Sequence, residues 1–291
     1  MATKTAKKKL TNNQKIEQIT DKLIAQMESG KLNWNKEWKC MGMPCNYQTK
    51  RPYKGMNLVY TMFSEFASNY YLTFNQVKKM GGNVIKGSKG TTIMFWSKFI
   101  KEDKETKKQR MLFFAKTFTV FNEEQIEGIE FESDEQMNEF GTVEAIENLV
   151  SGMPNPPEMV TVMQDQAFYT PSRDRVTMPE KGQFNSLEAY YSTLIHELVH
   201  STGHKSRLDR EGVNSPSMFG SHEYSFEELV AELGAAFIMG MTGVSNENTE
   251  KNSAAYLQGW IKKFKSDKQM LYKAASQAQK AVDYMLGSEV E

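Results

Sequence analysis

The chain has 291 residues, 39% of them hydrophobic, enough to bury the core of one large domain or two ordinary ones. Its formal net charge is zero, but residues 1–120 hold 23 Lys and Arg against eight Asp and Glu, and the remainder holds 13 against 28. That asymmetry excludes broad polyanion binding by the second half and assigns any nucleic-acid-facing surface to the first. No apolar run reaches the roughly 18 residues of a membrane span. MATKTAKKKL lacks the apolar segment of a secretory signal, so a cytoplasmic location is expected. Cys40 and Cys45 are too few for a disulfide framework and read as thiols.

Residues 1–10 read as a disordered basic tail. Between Asn12 and Ser29, Ile16, Ile19, Leu23, Ile24 and Met27 recur at helical spacing, and Gly30 ends the run. GMPCNYQTKRPYKGMN, residues 42–57, reads as an ordered loop. LTFNQVKKMGG reads as a short helix stopped by Gly81 and Gly82. NVIKGSKGTTIMFWSKFI reads as a turn and a strand, and MLFFAKTFTVFN as the returning strand. Between these strands, Lys101–Arg110 alternates in charge and reads as a solvated hairpin tip. This first module, residues 11–125, is therefore expected to be α+β.

Aromatic and basic residues interleave through it. Single-stranded nucleic acid is held by a basic groove along its backbone and by aromatic faces stacked on bases. The expected contacts are Trp34, Lys36, Trp38, Lys50, Arg51, Tyr53, Lys54, Lys86, Lys89 and Trp96. Phe95, Phe113, Phe118 and Phe121 read as core instead. Residues 1–125 are expected to bind single strands on their own. The acidic stretch 126–141 reads as a linker, and residues 142–291 as the second domain.

In that second domain a helix is expected near Thr142–Ser151. Two short extended runs then flank a turn at Pro171–Asp174, within AFYTPSRDRVTMP. Next comes YYSTLIHELVHSTGH, residues 190–204. All four histidines of the chain, His196, His200, His204 and His222, fall within 27 residues. Residues i and i+4 share a helix face, so His196 and His200 can aim two imidazoles at one ion. Glu197 lies about 100° round the helix, where it can reach a water as general base without being a ligand. This is the H-E-x-x-H pattern of zinc hydrolases, and Zn²⁺ is the expected ion.

Leu194, Ile195, Leu198 and Val199 seat the helix in a core. Ser186 is placed to cap its start and Gly203 to stop it. His204, past that stop, has three open roles: ligand, substrate contact or cap. The third ligand is sought in SFEELVAELGAAFIMG, where Glu228 and Glu232 share a face. Glu228 is assigned as ligand. Glu232 is assigned as acceptor for the other N–H of a ligand histidine, with Glu227 pointing elsewhere. Met218, Phe219 and His222 are expected to roof the cleft. The final helical region, Ala254–Leu286, is expected to pack through Trp260, Phe264, Leu271 and Tyr284.

These pieces resemble the ArdC-type antirestriction proteins of plasmids, phages and other mobile elements over nearly the whole length. The Trp34–Trp38 region, NYQTKRPYKGMN, LTFNQVKKMGGNVIKGSKGTTIMFW and TVFNEEQIEG look like the family's single-stranded DNA-binding domain. AFYTPSRDRVTMP, YYSTLIHELVHSTGHKSRL and EELVAELGAAF look like its zincin-type metallopeptidase domain. The resemblance implies DNA binding that shields incoming DNA from restriction enzymes, joined to a metallopeptidase fold whose protein substrate is open. Three alternatives use the same parts: a DNA shield with an idle zinc site, a repair-type protease acting on DNA-bound protein, and a replication accessory. Intact Glu197 favours a working peptidase, because structural zinc sites are closed by four protein ligands.

Overall fold

The computed structural model describes residues 10–30, 42–102, 109–132, 142–215, 221–244 and 254–289. Helix α1 (Asn12–Glu28) starts at a reciprocal cap between Thr11 and Gln14. It buries Ile16, Ile19, Leu23, Ile24 and Met27, the residues whose spacing predicts it. The stretch expected as a loop over 42–57 holds more structure than that. Strands β1 (Cys45–Asn46) and β2 (Arg51–Pro52) pair antiparallel, and α2 (Gly55–Met62) follows at once. Tyr53, expected in a nucleic-acid groove, is only 5% exposed and meets Tyr71 edge-on. Its flanking charges point out while its ring fills the core, an alternation that composition alone does not reveal.

Strand β3 (Tyr70–Thr73), helix α3 (Phe74–Lys79), strands β4 (Asn83–Val84), β5 (Thr91–Glu102), β6 (Gln109–Asn122) and β7 (Ile126–Glu127) complete the first unit. The main sheet has the order β2-β1-β3-β6-β5, and β4 pairs with β7. Strands β5 and β6 form an arm paired from Thr91↔Val120 to Glu102↔Gln109, but β3 pairs with β6 only over Val120–Asn122. The arm therefore runs out beyond the sheet. Phe95, Phe113 and Phe118, expected in the core, are 48%, 58% and 42% exposed. Alternation predicts a strand but not whether anything covers it. Residues 126–132, expected to open the linker, belong to this unit: Ile126, Ile129 and Phe131 pack with Tyr47 and Tyr70. Trp34, Lys36, Trp38, Cys40, the tail 1–9 and residues 133–141 lie outside the described residues.

The second unit comprises α4 (Thr142–Gly152), the strands β8 (Glu158–Thr161), β9 (Phe168–Thr170) and β10 (Arg175–Met178), then α5 (Leu187–Thr202), α6 (Glu211–Asn214), α7 (His222–Thr242), α8 (Ala254–Ser266) and α9 (Met270–Met285). Its sheet has the order β8-β10-β9, with β9 at an edge. The helical region expected over 254–286 is two helices, broken at Asp267–Gln269, where Asp267 accepts from the Gln269 N–H.

Helix α9 joins the two units into one core. Its buried Leu271, Ala274, Ala275, Ala278 and Ala281 belong to the same apolar cluster as Leu23, Met56 and Val59 of the first unit and Ile195 and Leu233 of the second. Gln279 accepts from the Gly55 N–H at 3.0 Å, and Asp283 pairs with Lys54 at 3.3 Å. The first unit is thus not freestanding at residue 125, as the sequence suggested. The whole is α+β, and no described helix is long and apolar enough to cross a membrane.

Candidate metal centre

Helix α5 begins where the Ser186 hydroxyl accepts from the Ala189 N–H. Ile195, Leu198 and Val199 are fully buried, so the opposite side of the helix must carry His196 and His200. Helix α7 crosses α5 closely at one point. A Cβ on Gly234 would lie 2.8 and 2.9 Å from the Val199 methyl groups, so only glycine permits this approach. The close crossing brings Glu228 to the two histidines.

The resulting geometry is that of a three-point donor set. One donor atom each from His196, His200 and Glu228 lies within 4.8 Å of the others. The two Nε2 atoms are 3.2 Å apart. Glu228 Oε2 is 3.7 Å from His196 Nε2, and its Oε1 is 3.6 Å from His200 Nε2. Two imidazoles and a carboxylate on converging vectors suit a tetrahedral divalent ion with one position left for solvent. Burial works against ionisation of Glu228, but the His196 hydrogen bond and both imidazoles hold its pKa down at about 2. Glu197, buried on the same helix, lines the same cleft.

A buried relay fixes His200. Its Nδ1 is 3.3 Å from Glu227 Oε1, and Glu227 receives Arg210 through Nη2 at 2.7 Å and Nε at 3.0 Å. Arg210 also donates to the Val199 carbonyl at 2.7 Å and to Thr202 Oγ1 at 2.6 Å. Burial opposes the charge on Glu227, yet His200 and Arg210 lower its pKa. Burial likewise opposes a charged His200, but Glu227, Glu228 and Glu197 together raise its pKa. Gly203 makes the relay possible. A Cβ there would sit 2.4 Å from Val213 and 3.0 Å from the Arg210 guanidinium.

The cleft around these groups has a volume of roughly 1100 Å³. One wall is β9 and the turn after it, where Asp174 adopts a left-handed backbone with φ 47°. Arg207 clamps that turn by two hydrogen bonds of 2.8 Å to the Asp174 carboxylate. Tyr169 donates to the same carboxylate at 2.9 Å. Opposite stands Tyr224, whose phenol is pushed up to about 12 by burial and then by the Glu228 charge.

The structure brings together His196, Glu197, His200 and Glu228 as the spacing predicts. It revises Glu227, which was expected to point elsewhere: its carboxylate meets the other nitrogen of His200. Glu227 is one residue before Glu228 and so turns about 100° from it, into the buried seam against α5. His204 lines the cleft but is outside the donor cluster; its Nδ1 pairs with Ser206 Oγ at 2.8 Å. His222 does not roof the cleft. It is exposed at the start of α7, 3.5 Å from Asp267. Met218 and Phe219 lie outside the described residues. Sequence reasoning missed Arg207 and Arg210; the signal was two arginines three apart in the short loop after the metal helix, each needing a carboxylate.

Of the expected nucleic-acid contacts, Arg51, Lys86 and Lys89 are exposed. Lys50 and Lys54 also reach solvent, but each has a partner within the chain. Lys50 lies 3.9 Å over the Tyr47 ring and 3.2 Å from Glu132, and Lys54 holds Asp283. Trp96 is partly exposed and donates its indole N–H to the Tyr272 hydroxyl.

Comparison with known proteins gives matches across both units. Residues 13–121 match the family described as the N-terminal domain of the anti-restriction factor ArdC. Residues 147–277 match the family described as zincin-like metallopeptidases, a fold that implies a divalent metal at the donor set. A DNA primase TraC of Escherichia coli is 33% identical over 293 residues, which cover 94% of this chain; the chain spans only 20% of the primase's length. The metal-free crystal structure of the antirestriction ArdC protein from the R388 plasmid superposes with a TM-score of 0.72 at 33% identity, over 93% of this chain and 96% of that one. Its Mn(II)-bound structure gives 0.69 at 32% identity, over 94% and 97%.

Proposed function

The chain belongs to the ArdC antirestriction family, and on that premise we propose that it binds single-stranded DNA with its first unit and cleaves a protein substrate at a zinc ion in its second. The observation that carries the peptidase half is the convergence of His196, His200 and Glu228 in an open cleft with Glu197 beside them. A related ArdC crystal structure holds Mn(II). Zinc suits the two imidazoles and low coordination number offered here. Bound there, the ion polarises a carbonyl and makes a nearby water more acidic.

The chain's own residues supply the rest. An extended peptide can add to the edge of β9 and lie across the cleft, its backbone held by strand hydrogen bonds. Glu197 takes a proton from the attacking water and returns it to the leaving amine. Glu227 and Arg210 hold His200 in orientation. The Arg207–Asp174 clamp holds the turn that ends the β9 wall.

For the DNA half, the support is the excess of 23 basic over eight acidic residues in 1–120, together with the family match. In the cell this activity would coat incoming single strands and shield them from restriction enzymes, with the peptidase removing a protein bound to them. The likeness to the TraC primase favours one other reading, a replication accessory. That reading expects strand binding without cleavage.

The deciding experiment measures zinc-dependent cleavage of unfolded protein with and without single-stranded DNA. Glu197→Gln should retain zinc and lose cleavage. Equal cleavage by that variant rejects Glu197 as base; a zinc-loaded chain that cleaves nothing favours the accessory reading.

A further inference from the structure

The β5–β6 arm carries its side chains on two faces; near the sheet both are covered, by Met94 and Ala115 on one and by Ile93 and Val120 on the other, and further out both expose apolar residues. On one face, Met94 and Ala115 pack with Ile16 and Ile19 of α1 and with Tyr60 and Tyr272. Asn12 reinforces this cover through the Phe113 carbonyl and the Ala115 N–H, and Lys15 through the Ala115 carbonyl. The other face carries Phe95, Phe99, Phe114, Lys116 and Phe118. Phe95 and Phe118 are in edge contact at 5.8 Å, and Phe99 and Phe114 at 5.6 Å. Lys116 stands opposite Phe95 in the register, with its ammonium 5.2 Å from the Phe114 ring. Rings and lysine thus form a stripe along the arm, repeating every two residues, about 6.8 Å on an antiparallel strand.

We propose that this face is the stacking platform on which unpaired bases of single-stranded DNA lie, with Lys116 on the backbone phosphate. The proposal rests on the single-strand-binding reading above and gives it a location. Large rings left in water need an occupant that covers them. Base faces do so without regard to sequence, and a duplex hides them. Charge selects the same occupant. From Thr91 to Phe99 and from Phe113 to Val120 the arm has no carboxylate. Among the described residues no acid lies within ion-pair distance of Lys116 or Lys98. A second copy of the chain, laid face to face by a twofold axis, would need an acid on this same patch to meet Lys116. The patch has none.

The test uses the full chain and anisotropy of a labelled oligothymidine. Phe95→Ala with Phe99→Ala should weaken binding at least tenfold, since two stacking rings are lost. Phe95→Trp with Phe99→Trp should bind within twofold of the unaltered chain. So should Ile100→Ala with Phe113→Ala, on the other face. Lys116→Ala should reduce the slope of log affinity against log salt by about 0.7; an unchanged slope removes Lys116 from the platform. If the unaltered chain binds and the double alanine variant binds equally, the platform is overturned while strand binding stands. If the unaltered chain does not bind, both fall. A dimer in solution that the alanine pair converts to monomer overturns the proposal in favour of self-association.

Discussion

Replacing Arg210 with Met tests the relay behind His200. The guanidinium sits in a nearly closed site, with side chains 5% and 7% exposed for Arg210 and Glu227. Met fills much of the volume but leaves Glu227 ionised, buried and short of its two shortest hydrogen bonds. Removing one partner of such a pair costs about 3–5 kcal/mol, because the remaining charge keeps its desolvation penalty. That is a large part of the 5–15 kcal/mol typical of a folded domain. Urea unfolding of the metal-free chain should show this loss. Adding Glu227→Gln to Arg210→Met should recover more than half of it, since no lone charge then remains. Glu227→Gln alone should weaken zinc binding about 10- to 100-fold in a calorimetric titration, because His200 loses the acceptor that orients it. A loss below about 1 kcal/mol for Arg210→Met, or a double variant as unstable as the sum of the singles, would refute the relay.

Gly234→Ala should cost about 1–3 kcal/mol by overpacking against Val199 and should weaken zinc binding as α7 moves off α5. Gly259→Ala, with nothing within 4 Å, should instead gain about 0.5–1 kcal/mol in the same melts. Burial opposes ionisation of Asp174, but Arg207 and Tyr169 lower its pKa below the ordinary value, so its stabilisation is present above that value and fades as pH falls through the lowered one. Asp174→Asn, which tolerates the left-handed turn, should therefore be less stable than the parent at pH 7 and equal to it in strong acid; a gap independent of pH denies the ion pair a role. Zinc at about 100 times its Kd should stabilise the chain by about 2.7 kcal/mol. Glu197→Gln should keep that gain and Glu228→Gln should lose most of it, and the reverse order would reassign ligand and base.

What could be read from the sequence was what one helix fixes by itself. His196 and His200 share a face by period alone, and Glu228 followed from a second apolar helix with a carboxylate on one side. Glu227 was misjudged because its burial depends on how α7 crosses α5, which Gly234 and Val199 decide. Arg210 and Arg207 depend on a loop folding back past Gly203 and on the left-handed Asp174, both set by tertiary contacts. The arm shows the converse failure. Its alternating residues announced paired strands, but only the short overlap of β3 with β6 reveals that the rings beyond it are left exposed. Tyr53 misled because its neighbours Arg51, Pro52 and Lys54 are polar or turn-forming while its own ring points inward.

The sharing of α9 between both units has a consequence for how the protein is made. A ribosome releases α1 and α2 early, yet the alanine-lined surface against which Met56 and Val59 settle arrives only with residues 270–285. At about 5–20 residues per second the early segments wait some tens of seconds with apolar surface exposed. Neither the arm nor the histidine helix reaches its final setting until that last helix docks. A nascent chain stalled before residue 270 would be a client for chaperones rather than a half-finished fold.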